Sequence, residues 1–95
     1  MSEPAVTGPS PEKIPARTQH ARMRNFRGKT FLAVDNQALE LTEIAAFIWK
    51  CIDGTKAVSA IAQVLATEYE VDASTALTDV AELLGMLARA GLVKY

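Results

Sequence analysis

The 95 residues of this chain include a single cysteine and a single histidine, and that scarcity removes several function classes. One cysteine makes neither an internal disulfide nor a structural zinc site, and one histidine supplies no imidazole cluster for a metal. No run of about 18 apolar residues is present to span a bilayer. The N-terminus, Met-Ser-Glu-Pro-Ala-Val-Thr-Gly-Pro, lacks the basic flank and apolar stretch of a secretory signal. Together these absences fit a cytoplasmic chain with a reduced thiol and no membrane partner. Also missing are a Gly-rich phosphate loop and a Ser-His-Asp set. What remains is 49% hydrophobic residues with only five glycines, enough for one small folded domain.

Net charge is −1, but it is unevenly spread. Residues 1–30 carry six bases against two acids, whereas residues 31–95 carry four bases against nine acids. A basic start therefore precedes an acidic body.

All four prolines, Pro4, Pro9, Pro11 and Pro15, fall in the first twenty residues among small polar side chains. With so little apolar surface to offset backbone ordering, residues 1–20 read as a disordered Pro-rich N-terminal tail, and residues 21–95 as the domain. Alternation then sets in at Arg22-Met23-Arg24-Asn25-Phe26, followed by Thr30-Phe31-Leu32-Ala33-Val34 and Ala38-Leu39-Glu40-Leu41, with breaks at Gly28-Lys29 and Asp35-Asn36. Three short antiparallel strands are expected.

At Thr42 the period changes from two to 3.6. Thr42 caps a first helix whose apolar face holds Ile44, Ala45, Phe47, Ile48, Cys51 and Ile52 before Asp53-Gly54 stops it. A second helix is predicted from about Val58 to Tyr69, and a third, capped by Asp72 or Ser74, runs to about Ala90 with Gly91 beyond it. Leu92 to Tyr95 is left as an extended tail or edge strand.

The third helix is apolar over more than half its circumference. At 100° per residue, Leu77, Val80, Ala81, Leu84 and Ala88 form one stripe, and Ala76, Leu83, Leu87, Met86 and Ala90 widen it. An ordinary surface helix needs a stripe little wider than 100°. The surplus of Leu83, Met86 and Ala90, with Asp79 at its N-terminal end, must lie under the strands or line a groove.

Catalysis would need converging groups. Cys51 sits on an apolar helix face, where a thiol behaves as a small hydrophobe, and His20 reads as a solvated residue at the edge of the tail. Neither enzyme chemistry nor a cofactor is expected. Three strands and three helices could also describe a winged-helix DNA-binding regulator or another protein-interaction module. Between Val58 and Ala90, however, Arg89 faces Glu68, Glu70, Asp72, Asp79 and Glu82, the wrong sign for a DNA-reading surface, so no nucleic acid is expected.

The ordered combination Phe31-Leu32-Ala33-Val34, Ala38 to Thr42, Ala45 to Gly54, Val58-x-x-Ile61-x-x-x-Leu65, Asp79-Val80-x-x-Leu83-Leu84-x-x-Leu87 and Gly91-Leu92-Val93 resembles the PqqD family. These are peptide chaperones of pyrroloquinoline quinone biosynthesis and are similar to the recognition elements of ribosomally synthesised, post-translationally modified peptides (RiPPs). The resemblance implies an α+β fold, winged helix-turn-helix-like, with a three-stranded antiparallel sheet packed on three helices. It further implies a non-catalytic adaptor that holds the leader of a precursor peptide for a separate modifying enzyme, such as a radical SAM enzyme or a leader peptidase. A homodimer is compatible with it. The leader would add beside the third strand, Ala38, Leu39, Glu40 and Leu41, and lie against Asp79, Leu83, Met86 and Ala90. The chain departs from the family at Ala57, where a Thr cap often opens the second helix, so a weaker or shifted cap is expected there.

Overall fold

Alternating side chains between Arg22 and Leu41 sort onto the two faces of a twisted sheet. The computed structural model describes residues 8–18, 21–34 and 37–95. Its elements are β1 (Ala16–Arg17), β2 (Arg22–Phe26), β3 (Lys29–Val34), β4 (Gln37–Leu41), α1 (Glu43–Cys51), α2 (Val58–Tyr69), α3 (Ala73–Arg89) and β5 (Val93–Lys94). Residues 1–7 of the expected tail, His20 with its expected exposure, and the break expected at Asp35-Asn36 lie outside the described residues. The architecture is α+β, as expected.

Strands β2, β3 and β4 pair antiparallel in that order, with Phe31 opposite both Arg24 and Glu40, and Leu32 opposite both Met23 and Leu39. Because successive side chains point to opposite faces, Met23, Leu32, Val34, Leu39 and Leu41 share the inner face and pack on the helical core. Arg24, Phe31, Ala33, Ala38 and Glu40 share the outer face. The β2–β3 turn is closed by Arg27 and Gly28, both left-handed at φ 55° and 78°, the conformation that matches strand twist in a two-residue hairpin.

Local chemistry sets the helix boundaries. The Thr42 hydroxyl accepts the Ala45 N–H at 3.1 Å and caps α1, and Asp72 accepts the Ser74 N–H at 3.1 Å to open α3. At the far end of α3, Gly91 at φ 79° lets its own N–H reach the Ala88 carbonyl and the Leu92 N–H reach the Leu87 carbonyl, a Schellman closure. Trp49, Ile48, Ile52, Ile61, Leu65, Leu84 and Leu87 fill the core between the sheet and helices. Among the described residues no helix is long and apolar enough to cross a membrane.

The expectation of a disordered tail through residue 20 is corrected for residues 8–18, which run as a strap over the body. Pro9 and Pro15 are buried, and β1 pairs antiparallel with β5, Arg17 opposite Val93. A Cβ on Gly8 would fall on the Ala81 carbonyl, so the strap backbone lies directly on α3. The α2 N-terminus, where Ala57 offers no side-chain cap, is completed by the strap. Its Pro11 and Lys13 carbonyls accept the Ser59 and Val58 N–H groups at 2.9 and 2.8 Å. Helix starts leave such N–H groups without intrahelical partners, and here distant backbone supplies them. Arg17 anchors the end of the strap, donating to the Trp49 carbonyl at 2.8 Å with its guanidinium 4.9 Å from the centre of the Trp49 ring.

Candidate functional site

The third strand of the sheet, β4, pairs only with β3, and its outer edge is free among the described residues. A strand edge of this kind offers backbone N–H and C=O groups to another extended chain. Where β4 ends, a cleft of about 310 Å³ opens between α1 and α3, lined by Thr42, Ile44, Ala45 and Ile48 on one wall and Asp79, Glu82, Leu83 and Met86 on the other. The arc around α3 explains it. Ala76, Val80, Ala81, Leu84, Gly85 and Leu87 are buried, leaving Leu83 half-buried, Met86 42% exposed, and Asp79 and Glu82 in solvent.

The sequence-derived candidates divide accordingly. Asp79, Leu83 and Met86 come together on one wall of the cleft. Ala90, the C-cap of α3, is exposed but outside the cleft lining. On β4, Leu41 is buried and Leu39 half-buried against the core, while Ala38 and Glu40 are exposed on the outer face. The strand thus has only its backbone edge to offer toward the cleft. Sequence reasoning missed the α1 wall, because Ile44 and Ala45 were assigned wholly to the core; each is half-buried. The breadth of the α1 apolar arc, like that of α3, was the available signal.

The buried arc of α3 also differs from the expected stripe. Leu77 and Ala88, expected in the core stripe, are half-buried, and Gly85, which that stripe leaves out, is buried. The buried arc widens on both flanks of that stripe, with Ala76 and Leu87 on one side and Gly85 on the other, next to Ala81, on which Gly8 lies.

A larger hollow of about 490 Å³ lies beside Lys29, Glu40, Glu43, Phe47, Lys50 and Tyr69. Its charges are largely matched internally: Lys29 and Glu40 approach to 3.7 Å, and the Tyr69 hydroxyl donates to Glu43 at 3.3 Å. The Tyr69 ring stands edge-on to Phe47 at 5.3 Å. Desolvation, then the Glu43 carboxylate, raises the Tyr69 hydroxyl above its ordinary pKa. Matched charges and a neutral phenol leave this hollow with less unmet chemistry than the apolar cleft.

The family model for Coenzyme PQQ synthesis protein D (PqqD) matches residues 22–93. The chain belongs to the PqqD family. It is 38% identical over 78 residues to a protein named PqqA binding protein from Xanthomonas campestris pv. campestris (strain B100), covering 82% of each chain. A protein of the same name from Xanthomonas axonopodis pv. citri (strain 306) is 30% identical over 91 residues, covering 94% of this chain and 99% of the relative. The solved PqqD truncation of Methylobacterium extorquens PqqCD, described as a functional and stand-alone RiPP recognition element, superposes with a TM-score of 0.81 at 27% identity, covering 95% of this chain and 98% of that one. Lasso peptide synthetase B1 complexed with the leader peptide shares the fold with a TM-score of 0.74 at 21% identity, over 87% of this chain and 100% of that one.

Proposed function

We propose that this PqqD-family chain is a non-catalytic adaptor that binds the leader of a PqqA-type precursor peptide and presents it to a separate modifying enzyme. The observation that carries the reading is the free β4 edge ending at an apolar cleft walled by Leu83, Met86 and Ile44. A leader segment added along β4 gains register from backbone hydrogen bonds, and its alternate side chains enter the cleft. Ala38 to Leu41 serve through their backbone, Leu83 and Met86 through apolar contact, and Asp79 at the rim; Ala90 extends the α3 wall by one turn. The cleft holds no histidine or cysteine, and the role assigned to it is tethering. Bound leader raises the effective concentration of the rest of the precursor at the enzyme's active site.

The test is a titration of the isotope-labelled full chain with a full-length PqqA-type precursor peptide. The expected result is slowed amide exchange along β4 with chemical-shift changes at residues 79–86. Absence of binding, or changes confined to other surfaces, overturns the reading. Salt-sensitive, micromolar binding of random duplex DNA in place of peptide would move the assignment to a DNA-binding regulator.

A further inference from the structure

The outer face of the sheet is left open by every contact described so far. Residues 22, 24 and 26 of β2, 29, 31 and 33 of β3, and 38 and 40 of β4 share it by register. A shallow hollow of about 430 Å³ lies over Phe26, Phe31, Ala33 and Ala38, with Arg24 and Asn25 beside it, and Phe26 is 61% exposed. Around these apolar side chains stand Arg22, Arg24, Arg27 and Lys29, all exposed, against Glu40 alone. An apolar centre with a net positive rim is unusual on a chain whose remaining surface is acidic.

A second observation comes from the backbone. Arg27 holds a left-handed φ of 55° at the hairpin tip, a place where Asn, Asp or Gly relaxes the turn and an arginine is strained. The strained residue sets its guanidinium 5.3 Å from the centre of the Phe26 ring, extending the cationic rim over the apolar centre. The hairpin dictates the left-handed backbone, so what arginine adds at this tip, in place of a residue that would relax it, is a cation over Phe26.

We propose that this outer face docks a partner protein surface that presents carboxylates around exposed apolar side chains. A second copy of the same face is a poor occupant, because a two-fold contact would set Arg22, Arg24 and Arg27 against the same three arginines, Lys29 being met by Glu40. Nucleic acid fits less well too. A stacking platform needs open aromatic faces, whereas one face of Phe26 carries the Arg27 guanidinium and Phe31 is half-buried. The face lies on the side of the sheet opposite the helices and their cleft, so leader and partner can be held together.

The probe is a short synthetic peptide alternating glutamate with leucine and phenylalanine, titrated into the labelled full chain. Expected are shift changes at residues 22–33, weakening with salt, and affinity losses of about tenfold for Arg24→Glu and a few-fold for Arg27→Asn. Because Asn relaxes the turn, Arg27→Asn should keep or raise the melting temperature, which separates lost docking from lost folding. Precursor-peptide binding at β4 should be unchanged in both variants, so failure of the adaptor reading shows separately. Shifts confined to the α1–α3 cleft, unchanged affinity in Arg27→Asn, or tighter binding of a single-stranded oligonucleotide at this face would each overturn the proposal. So would concentration-dependent self-association through the face.

Discussion

The Lys13 carbonyl accepts the Val58 N–H at 2.8 Å, so a strap residue completes the start of α2 where Ala57 has no side chain to do so. Deleting residues 1–14 removes this bond, the Pro11–Ser59 bond and buried Pro9. Two N–H groups lose their partners at about 1 kcal/mol each, with some burial besides, for roughly 2–3 kcal/mol in all. In a domain of this size that lowers Tm by about 10–20 °C. Ala57→Asp should restore about 1 kcal/mol in the truncated chain and little in the full chain. Thermal melts of the four proteins check both halves, and an unchanged Tm on truncation would show that the strap contributes nothing.

The strap also shows where sequence reading stops. Caps such as Thr42 and Asp72 act within three residues, and alternation in β2, β3 and β4 repeats within one strand, so both leave local patterns. A carbonyl at Lys13 reaching Val58 leaves none. Proline, which needs no N–H partner, reads as disorder even when Pro15 is fully buried. The α3 wall was legible because a stripe too wide for a core must face something else, and Met86 does face solvent. The α1 wall was legible only as breadth: apolar residues run almost all round the helix, and nothing local marks Ile44 and Ala45 as the half-covered ones.

Cys51 packs at the edge of the core, and burial pushes its thiol above the ordinary value, with nearby Lys56 opposing the shift. A raised pKa leaves less thiolate near neutrality, and thiolate is the reactive form. Labelling by a thiol reagent at pH 8 should therefore be slow in the native chain and fast in denaturant. Rapid native labelling would place the thiol in solvent.

Asp53 ties the α1–α2 turn. It takes the Lys56 ammonium at 2.8 Å and the Thr55 hydroxyl and N–H at 2.7 and 2.9 Å, and these bonds, that to Lys56 first, hold its carboxyl far below the ordinary 3.8. Asp72 is lowered as well, chiefly by the Ser74 hydroxyl. Carboxyls depressed in the folded state contribute stability that is fully present above the unfolded value, about 3.9, and lost as pH falls through the folded one. In urea unfolding, the stability gap between wild type and Asp53→Asn should be full from about pH 5 upward and narrow as pH falls toward about 2. A gap that does not change with pH would mean the carboxylate's charge is irrelevant to the turn.

Met86 and Leu84 stand two residues apart on α3, one 42% exposed at the cleft and the other fully buried. Leader covering Met86 can bury only the 42% still exposed, about 0.6–1.3 kcal/mol of the roughly 1.5–3 kcal/mol that full burial is worth, or roughly three- to tenfold in affinity. Met86→Glu puts a charge where solvent already reaches, so the free domain should melt within a few degrees of wild type while peptide binding weakens by about that factor. Leu84→Glu puts an unpaired charge in the core and should unfold the domain outright. Melting curves and peptide affinities for both variants separate the two roles. If Met86→Glu unfolds the chain as Leu84→Glu does, the Met86 side of α3 belongs to the core and the cleft is not where the leader lies.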